Sequence, residues 1–174
     1  MDSRFFLLAP AAIVAALPAS AITVTTVDDA RLRLFPGESA RAASFSLTDE
    51  QLVALHETPG VSILHRRVPA WRMSNGGWLF VERGYPHGTT LTFAVAIAPD
   101  GTVKGIEILE YPTRYSPAML TPSWLDQFRG KKHGRSRWEL GIATISGSTL
   151  SSEAVGSGVR RALAIHALIA GTAR

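Results

Sequence analysis

The clearest pattern of apolar and polar positions lies near the C-terminus of the chain. Apolar or small residues recur there every three or four positions, which gives a helix over about residues 151–170 one apolar face. The residues on this face are Ala154, Val155, Gly158, Val159, Ala162, Leu163, His166 and Ile169. We predict a long helix that packs this face against a sheet.

Upstream of this helix, short apolar runs indicate β-strands. We predict strands over residues 62–67, 78–83, 90–98 and 103–111, and one more over residues 138–144. The turn sequences Asn75-Gly76-Gly77 and Pro99-Asp100-Gly101 separate some of these runs, and such turns favour antiparallel neighbours. Residues 90–98 have no polar face, so we place this strand in the middle of the sheet.

Three shorter helices complete the predicted elements. The first covers residues 28–34 and is ended by Pro36 and Gly37. The second begins after Thr48, which forms a capping-box pattern with Gln51, and runs to about residue 56. The third runs from Pro122 to about residue 128, because proline is favoured at a first helical position. The predicted fold is therefore α+β, a mainly antiparallel sheet packed by helices in a single domain.

Composition agrees with a folded domain and limits its chemistry. The chain has 174 residues, enough for one domain with a proper core, and 46% are hydrophobic while 18% are charged. The absence of cysteine excludes disulfides, thiol nucleophiles, c-type haem attachment and iron–sulfur ligation. An electron-transfer role would therefore require a flavin.

Charge and histidine placement exclude two further classes of site. The formal net charge is +4, and much of the excess lies in residues 129–137. This basic run lacks interleaved aromatic residues, so we interpret it as a solvated loop and predict no nucleic-acid partner. Contact with an acidic partner, an anionic lipid or the flavin phosphate is the alternative. The five histidines show no metal-ligand spacing, so we predict no metal site.

The N-terminus has the three parts of a secretory signal peptide. Arg4 is followed by the apolar residues 5–17 and then by Pro18-Ala19-Ser20-Ala21, a small-residue cleavage pattern. We predict cleavage after Ala21 and a periplasmic or other extracytoplasmic location. An uncleaved N-terminal membrane anchor remains the alternative, because Asp2 offsets the charge of Arg4.

A run of small hydroxyl residues immediately precedes the long C-terminal helix. It reads Ile145-Ser146-Gly147-Ser148-Thr149-Leu150-Ser151-Ser152. The first turn of a helix has N–H groups without internal partners and a partial positive charge, so it suits a phosphate group. Glycine lets the backbone turn sharply, and the hydroxyls cap the helix or bind phosphate oxygens. The run predicts either an anion site or an ordinary capped helix start.

This run and its surroundings resemble the FMN-binding domain family. The resemblance rests on residues 124–131, on the hydroxyl run and on residues 153–163. It covers about residues 78–168, and a looser likeness reaches back to residues 35–37 and 47–51. Members of this family include the C subunit of the sodium-translocating NADH:quinone reductase and the G subunit of the Rnf complex. In the family, the last threonine of a Ser/Thr-Gly-Ala-Thr motif is esterified to the phosphate of FMN by a flavin transferase. That threonine corresponds to Thr149.

The resemblance implies an exported electron carrier in preference to a stand-alone enzyme, with FMN as cofactor and no catalytic residue of its own. It implies two partners, the flavin transferase and a redox partner protein or membrane electron-transfer complex. We divide the chain into a signal peptide (1–21), an N-terminal part of the domain (22–77) and an FMN-binding core (78–170). The expected cofactor-binding residues are Thr149, Ser146, Gly147, Ser148, Leu150, Ser151, Ser152 and Trp124.

The chain departs from the family pattern at three places. The family aspartate six residues before the modified threonine is replaced by Ala143, and the family alanine is replaced by Ser148. A glutamate that commonly follows the strand ending at Tyr111 is absent. The first change leaves a second hypothesis open, in which the protein is a relative that is not flavinylated and acts as a periplasmic binding or assembly module.

Overall fold

Within the residues that the computed structural model describes, 21–58, 60–112, 117–134 and 141–172, the core is a six-stranded antiparallel sheet. The strand order is β1-β8-β7-β6-β5-β2, and a separate two-stranded ribbon pairs β3 with β4. The strands are β1 (Ala21–Thr23), β2 (Ala40–Ala42), β3 (Phe45–Ser46), β4 (Arg67–Val68), β5 (Ala70–Met73), β6 (Trp78–Gly84), β7 (Leu91–Ile97) and β8 (Val103–Pro112). The predicted signal peptide lies outside the described residues, apart from Ala21.

Helices cover the sheet, which confirms the predicted α+β class. They are α1 (Val27–Leu34), α2 (Asp49–His56), α3 (Pro122–Leu125) and α4 (Thr149–Thr172). The capping box of α2 is present, with Thr48 and Gln51 each bonding the backbone of the other. A 3₁₀ turn, Asp126–Phe128, extends α3 to the predicted end. None of the helices in the described part of the chain combines the length and apolar character needed to cross a bilayer.

The sheet buries both of its faces. On one face, Phe80, Phe93 and Val95 pack with Val155 and Val159 of α4. On the other face, alternate residues of the same strands pack against α1, and this cluster contains Ala30, Leu34, Phe35, Leu79, Ala94 and Ala96. The double burial explains why β7 has no polar face, and it confirms the central position predicted for that strand.

The long helix α4 lies unusually close to the sheet at two glycines. A β-carbon at Gly84 would lie 2.8 Å from Cβ of Ala154, and one at Gly158 would lie 2.4 Å from the Phe93 ring. These close approaches fix α4 along β6 and β7. The helix begins at Thr149, two residues before the predicted start, so the second half of the hydroxyl run forms its first turn.

Two predicted strands are wrong over most of the residues that the structure describes, for related physical reasons. Residues 61–65 are irregular, and the Ser62 carbonyl accepts a hydrogen bond from the Arg161 guanidinium in place of a neighbouring strand. Residues 141–144 are also irregular, because side chains of α3 and its 3₁₀ extension bond the backbone of Ala143; residues 138–140 lie outside the described part. The sequence patterns also missed the short strands β1, β2, β3 and β5.

Candidate functional site

A tight turn brings the chain to the start of α4. The Ser148 N–H donates to the Ile145 carbonyl at 2.9 Å, which closes a four-residue turn. Gly147 has φ +76°, in the left-handed region that favours glycine, and no atom lies within 4 Å of the place where its β-carbon would be. The exposed surface of Ser146 and Gly147 is therefore open to a ligand.

The first turn of α4 presents three backbone donors. The first helical hydrogen bond runs from the Ser152 N–H to the Ser148 carbonyl at 2.9 Å. The N–H groups of Thr149, Leu150 and Ser151 precede it, so they have no carbonyl within the helix to bond. The first turn contains no acidic side chain, and the helix dipole adds a partial positive charge there. This arrangement is suited to an anion.

Ser148 occupies the N-cap position but does not cap the helix. An N-cap serine usually accepts a hydrogen bond from the second or third helical N–H. Here the Ser148 side chain is only 3% exposed, and among the described residues its Oγ has no hydrogen-bond partner. A buried hydroxyl without a partner is uncommon and costs free energy, about 1–3 kcal/mol. A ligand oxygen at the helix start would supply the missing partner.

Ser152, in contrast, braces the turn. Its Oγ donates to the Ser148 carbonyl at 3.0 Å and is the acceptor for the Ile145 N–H at 3.3 Å. Ser151 is also buried beneath the site, whereas Thr149 and Leu150 are exposed. The structure therefore places all seven hydroxyl-run residues that we predicted at one helix start, although their contacts with a cofactor stay a prediction.

Trp124 lies beside the site and bonds the backbone that leads into it, a contact that the sequence did not indicate. Its indole N–H donates to the Ala143 carbonyl at 2.8 Å, and its ring packs edge-on against Phe128 at 5.3 Å between centroids. Gln127 reinforces the attachment, because its Oε1 accepts from the Ala143 N–H at 2.9 Å. Trp124 is only 5% exposed. It anchors the segment that leads into the turn, and its predicted contact with a flavin ring stays a prediction.

Basic residues in the described part of the run form ion pairs and hydrogen bonds with nearby residues. Arg129 bonds the Asp126 carboxylate at 2.6 Å and the Lys104 carbonyl at 2.7 Å. Lys132 forms a longer ion pair with Asp100 at 3.7 Å. These contacts are typical of a solvated loop packed beside the β7–β8 turn, and residues 135–137 of the run lie outside the described part.

Comparison with known protein families decides the identity of this region. The model of the FMN-binding domain family matches residues 87–164. Those residues belong to the FMN-binding domain family. The match begins just before β7 and includes β8, α3, the turn and most of α4, so it contains the whole site described above. No curated protein matches the chain. The cofactor of the FMN-binding domain is FMN, whose phosphate fits the donors at the start of α4.

Proposed function

We propose that the protein is an exported electron carrier in which FMN is joined through its phosphate to the hydroxyl of Thr149. The observation that carries this proposal is the Ser148 hydroxyl, which is buried at the helix start without a partner. It lies next to three backbone N–H groups that the helix itself leaves unbonded. A phosphate monoester or diester offers acceptor oxygens to all of these donors at once.

Thr149 is the residue best placed for the covalent bond. It is the first residue of α4 and is exposed, so a flavin transferase can reach its hydroxyl. In the bond-forming step, Thr149 Oγ attacks the phosphorus of an activated flavin nucleotide that the transferase supplies. The bond from phosphorus to the leaving group breaks as the new ester bond forms, and the hydroxyl proton is lost. The product phosphate remains against the N–H groups of the first turn.

The protein then binds and orients the cofactor. Bound FMN supplies an isoalloxazine ring that takes up and releases electrons. The turn at Gly147 and the bracing hydroxyl of Ser152 hold the phosphate end rigidly, and Trp124 and Gln127 fix the approach to it. The chain itself contributes position and electrostatics, which agrees with a carrier that docks on a redox partner outside the cytoplasmic membrane.

The residue at the family aspartate position supports the second hypothesis, that the transferase no longer modifies this chain. Ala143 is exposed and offers no carboxylate. Its backbone is nevertheless held in place by Trp124 and Gln127, so the loss of the carboxylate leaves the path into the turn intact. A protein without the ester would act as a binding or assembly module.

Substitution of Thr149 tests the covalent proposal. We expect Thr149→Ala, co-expressed with a flavin transferase, to show no flavin fluorescence after denaturing electrophoresis, and Thr149→Ser to keep part of it. Thr144→Ala is the matched control, because Thr144 is also exposed but precedes the turn. Its fluorescence should equal that of the original protein. Covalent flavin in the Thr149→Ala variant would contradict the assignment.

A further inference from the structure

A cavity of about 260 Å³ lies away from the proposed flavin phosphate site, between the C-terminal half of α4 and the end of β6 that extends past its pairing with β5. We call it the edge cavity. Its apolar walls come from Leu64, Val68, Pro69, Val81 and Ile165. Arg161, which also lines it, is twelve residues after Thr149 (161 − 149) on α4. At 1.5 Å per residue this is about 18 Å along the helix axis.

The floor of the edge cavity contains a buried ion pair. Glu82 and Arg161 are 5% and 6% exposed, and the Arg161 Nη2 lies 2.6 Å from the Glu82 Oε2. Arg161 also donates to the carbonyls of Ser62 and Arg83, at 2.9 and 3.0 Å. Each of the three guanidinium nitrogens therefore already bonds a protein oxygen. Burial raises the pKa of the Glu82 carboxyl, and the charge of Arg161 opposes that rise.

One carboxylate oxygen of Glu82 is available as a hydrogen-bond acceptor. Both of its contacts with Arg161 use Oε2, and within the described residues Oε1 accepts no hydrogen bond. Because Glu82 lines the cavity, this oxygen is an acceptor for a donor group that enters it. A carboxylate oxygen in an apolar surrounding is a strong acceptor, since little water competes for it.

The mouth of the edge cavity is basic. His65 and Arg67 line it and are exposed, and His65 is held by a 3.1 Å hydrogen bond with the Tyr85 hydroxyl. Arg67 forms no ion pair with an acidic residue of the described segments, whereas its neighbour Arg66 is paired with Asp49. An anionic group at the mouth would therefore complement the unpaired charge of Arg67.

We propose that the edge cavity binds a small aromatic carboxylate with a hydroxyl group at the opposite end of its ring. The hydroxyl donates to Glu82 Oε1, the ring contacts the apolar walls, and the carboxylate lies at the mouth beside Arg67. The volume admits a single ring with a short acid arm and is below the usual range of about 300–1,000 Å³ for larger ligands. This inference does not depend on the ester at Thr149.

The test is a titration of the FMN-loaded protein with 4-hydroxyphenylacetate, in which the backbone amide signals are monitored by NMR. We expect saturable shifts in residues 64–69, 81–83 and 161–165. Phenylacetate, which lacks the hydroxyl, should bind about tenfold to a hundredfold more weakly, because it would cover the Oε1 atom of Glu82 without donating a hydrogen bond to it. This comparison changes the ligand and leaves the Glu82–Arg161 pair intact, so it is independent of any folding defect.

A pair of charge variants tests the orientation. Arg67→Gln should lower the affinity for 4-hydroxyphenylacetate about twofold to fivefold, since an exposed ion pair contributes little. The affinity for the neutral 4-hydroxyphenylacetamide should not change. Lys131→Gln is the matched control, because it removes the same charge from the loop beside β8. It should change neither of the two affinities. The proposal is overturned if no shifts saturate, if phenylacetate binds equally well, if Arg67→Gln has no effect, or if the shifts lie in residues 145–152. Binding only to the flavin-free protein would also overturn it, because the flavin ring would then occupy the cavity.

Discussion

Ser148 and Ser152 differ in their hydrogen bonding, although both are serines of the same short run. They are four positions apart, both are almost fully buried, and no feature of the local sequence distinguishes them. Only the folded turn distinguishes them, because it brings the Ile145 N–H and the Ser148 carbonyl to Ser152 and brings no partner to Ser148 among the described residues. The sequence predicted which residues gather at the helix start, and the structure shows which of them is available.

This difference leads to opposite expectations for two alanine variants. Ser148→Ala removes a hydroxyl that is buried without a partner among the described residues, so the free energy of unfolding should not fall and should rise by up to about 1–3 kcal/mol. Its affinity for FMN should fall about tenfold or more, because a bond to a charged phosphate is lost. Ser152→Ala should destabilise the fold by about 1–2 kcal/mol.

Both quantities are measurable on protein made without the transferase. Denaturant unfolding gives the stability, and flavin fluorescence gives the dissociation constant of added FMN. Unchanged FMN affinity in Ser148→Ala would show that the buried hydroxyl is not part of the phosphate site.

The elements of the fold were predictable where their pattern was long. The helix α4 and the strands β6, β7 and β8 each have a continuous apolar pattern, and their predicted bounds are close to the observed ones. Residues 62–66 and 141–144 were predicted as strand but form none, because the side chains of Arg161, Trp124 and Gln127 bond their backbone. Such long-range side-chain contacts cannot be recognised from a local pattern.

The packing of α4 on the sheet is best tested at its two neighbouring buried glycines. Alanine is ordinarily favoured over glycine within a helix by about 1 kcal/mol. At Gly158 the added methyl group would overlap the Phe93 ring, so Gly158→Ala should destabilise the protein by about 1–3 kcal/mol. At Gly156 the nearest atom would be 3.7 Å away, so Gly156→Ala should stabilise it by about 0.5–1 kcal/mol.

Thermal unfolding of both variants provides the measurement. Each variant is the control for the other, because the substitution and the helix are the same. Equal changes in melting temperature would mean that α4 does not lie against Phe93 as described.

At the scale of the whole molecule, the proposed phosphate site and the edge cavity lie at different levels along one helix. The N-terminus of α4 carries the phosphate donors, and its middle carries Arg161, which ties the helix to β6 and to the irregular segment at Ser62. The α+β class and the order of the long elements followed from the sequence. The edge cavity did not, because it forms between residues 64–69, β6 and α4, which are distant in sequence.

A histidine in the C-terminal half of α4, His166, should make the free energy of unfolding depend on pH. His166 is buried opposite Gly101 of the β7–β8 turn, and burial lowers its pKa below the ordinary value of 6.5. Between the two pKa values the unfolded chain binds more protons than the folded one, so stability should fall as the pH decreases below about 6.5. Asp100 and Lys132 near this turn are already paired with each other.

Denaturant unfolding at a series of pH values between about 7 and 5 tests this expectation. His166→Leu should flatten the profile in that range, and His56→Leu is the control, because His56 is an exposed histidine at the end of α2. A profile that is equally steep in His166→Leu would assign the effect to other groups.

The ester between FMN and Thr149 is tested by the intact mass of the denatured protein. The chain is exported with its predicted signal peptide and co-expressed with a flavin transferase, and the modified peptide is then mapped. We expect a mass increase of one FMN less one water, located on the peptide that contains Thr149. An unmodified, colourless protein, under conditions in which a known carrier is flavinylated, would rule out the ester and favour the second hypothesis, that the transferase does not modify this chain.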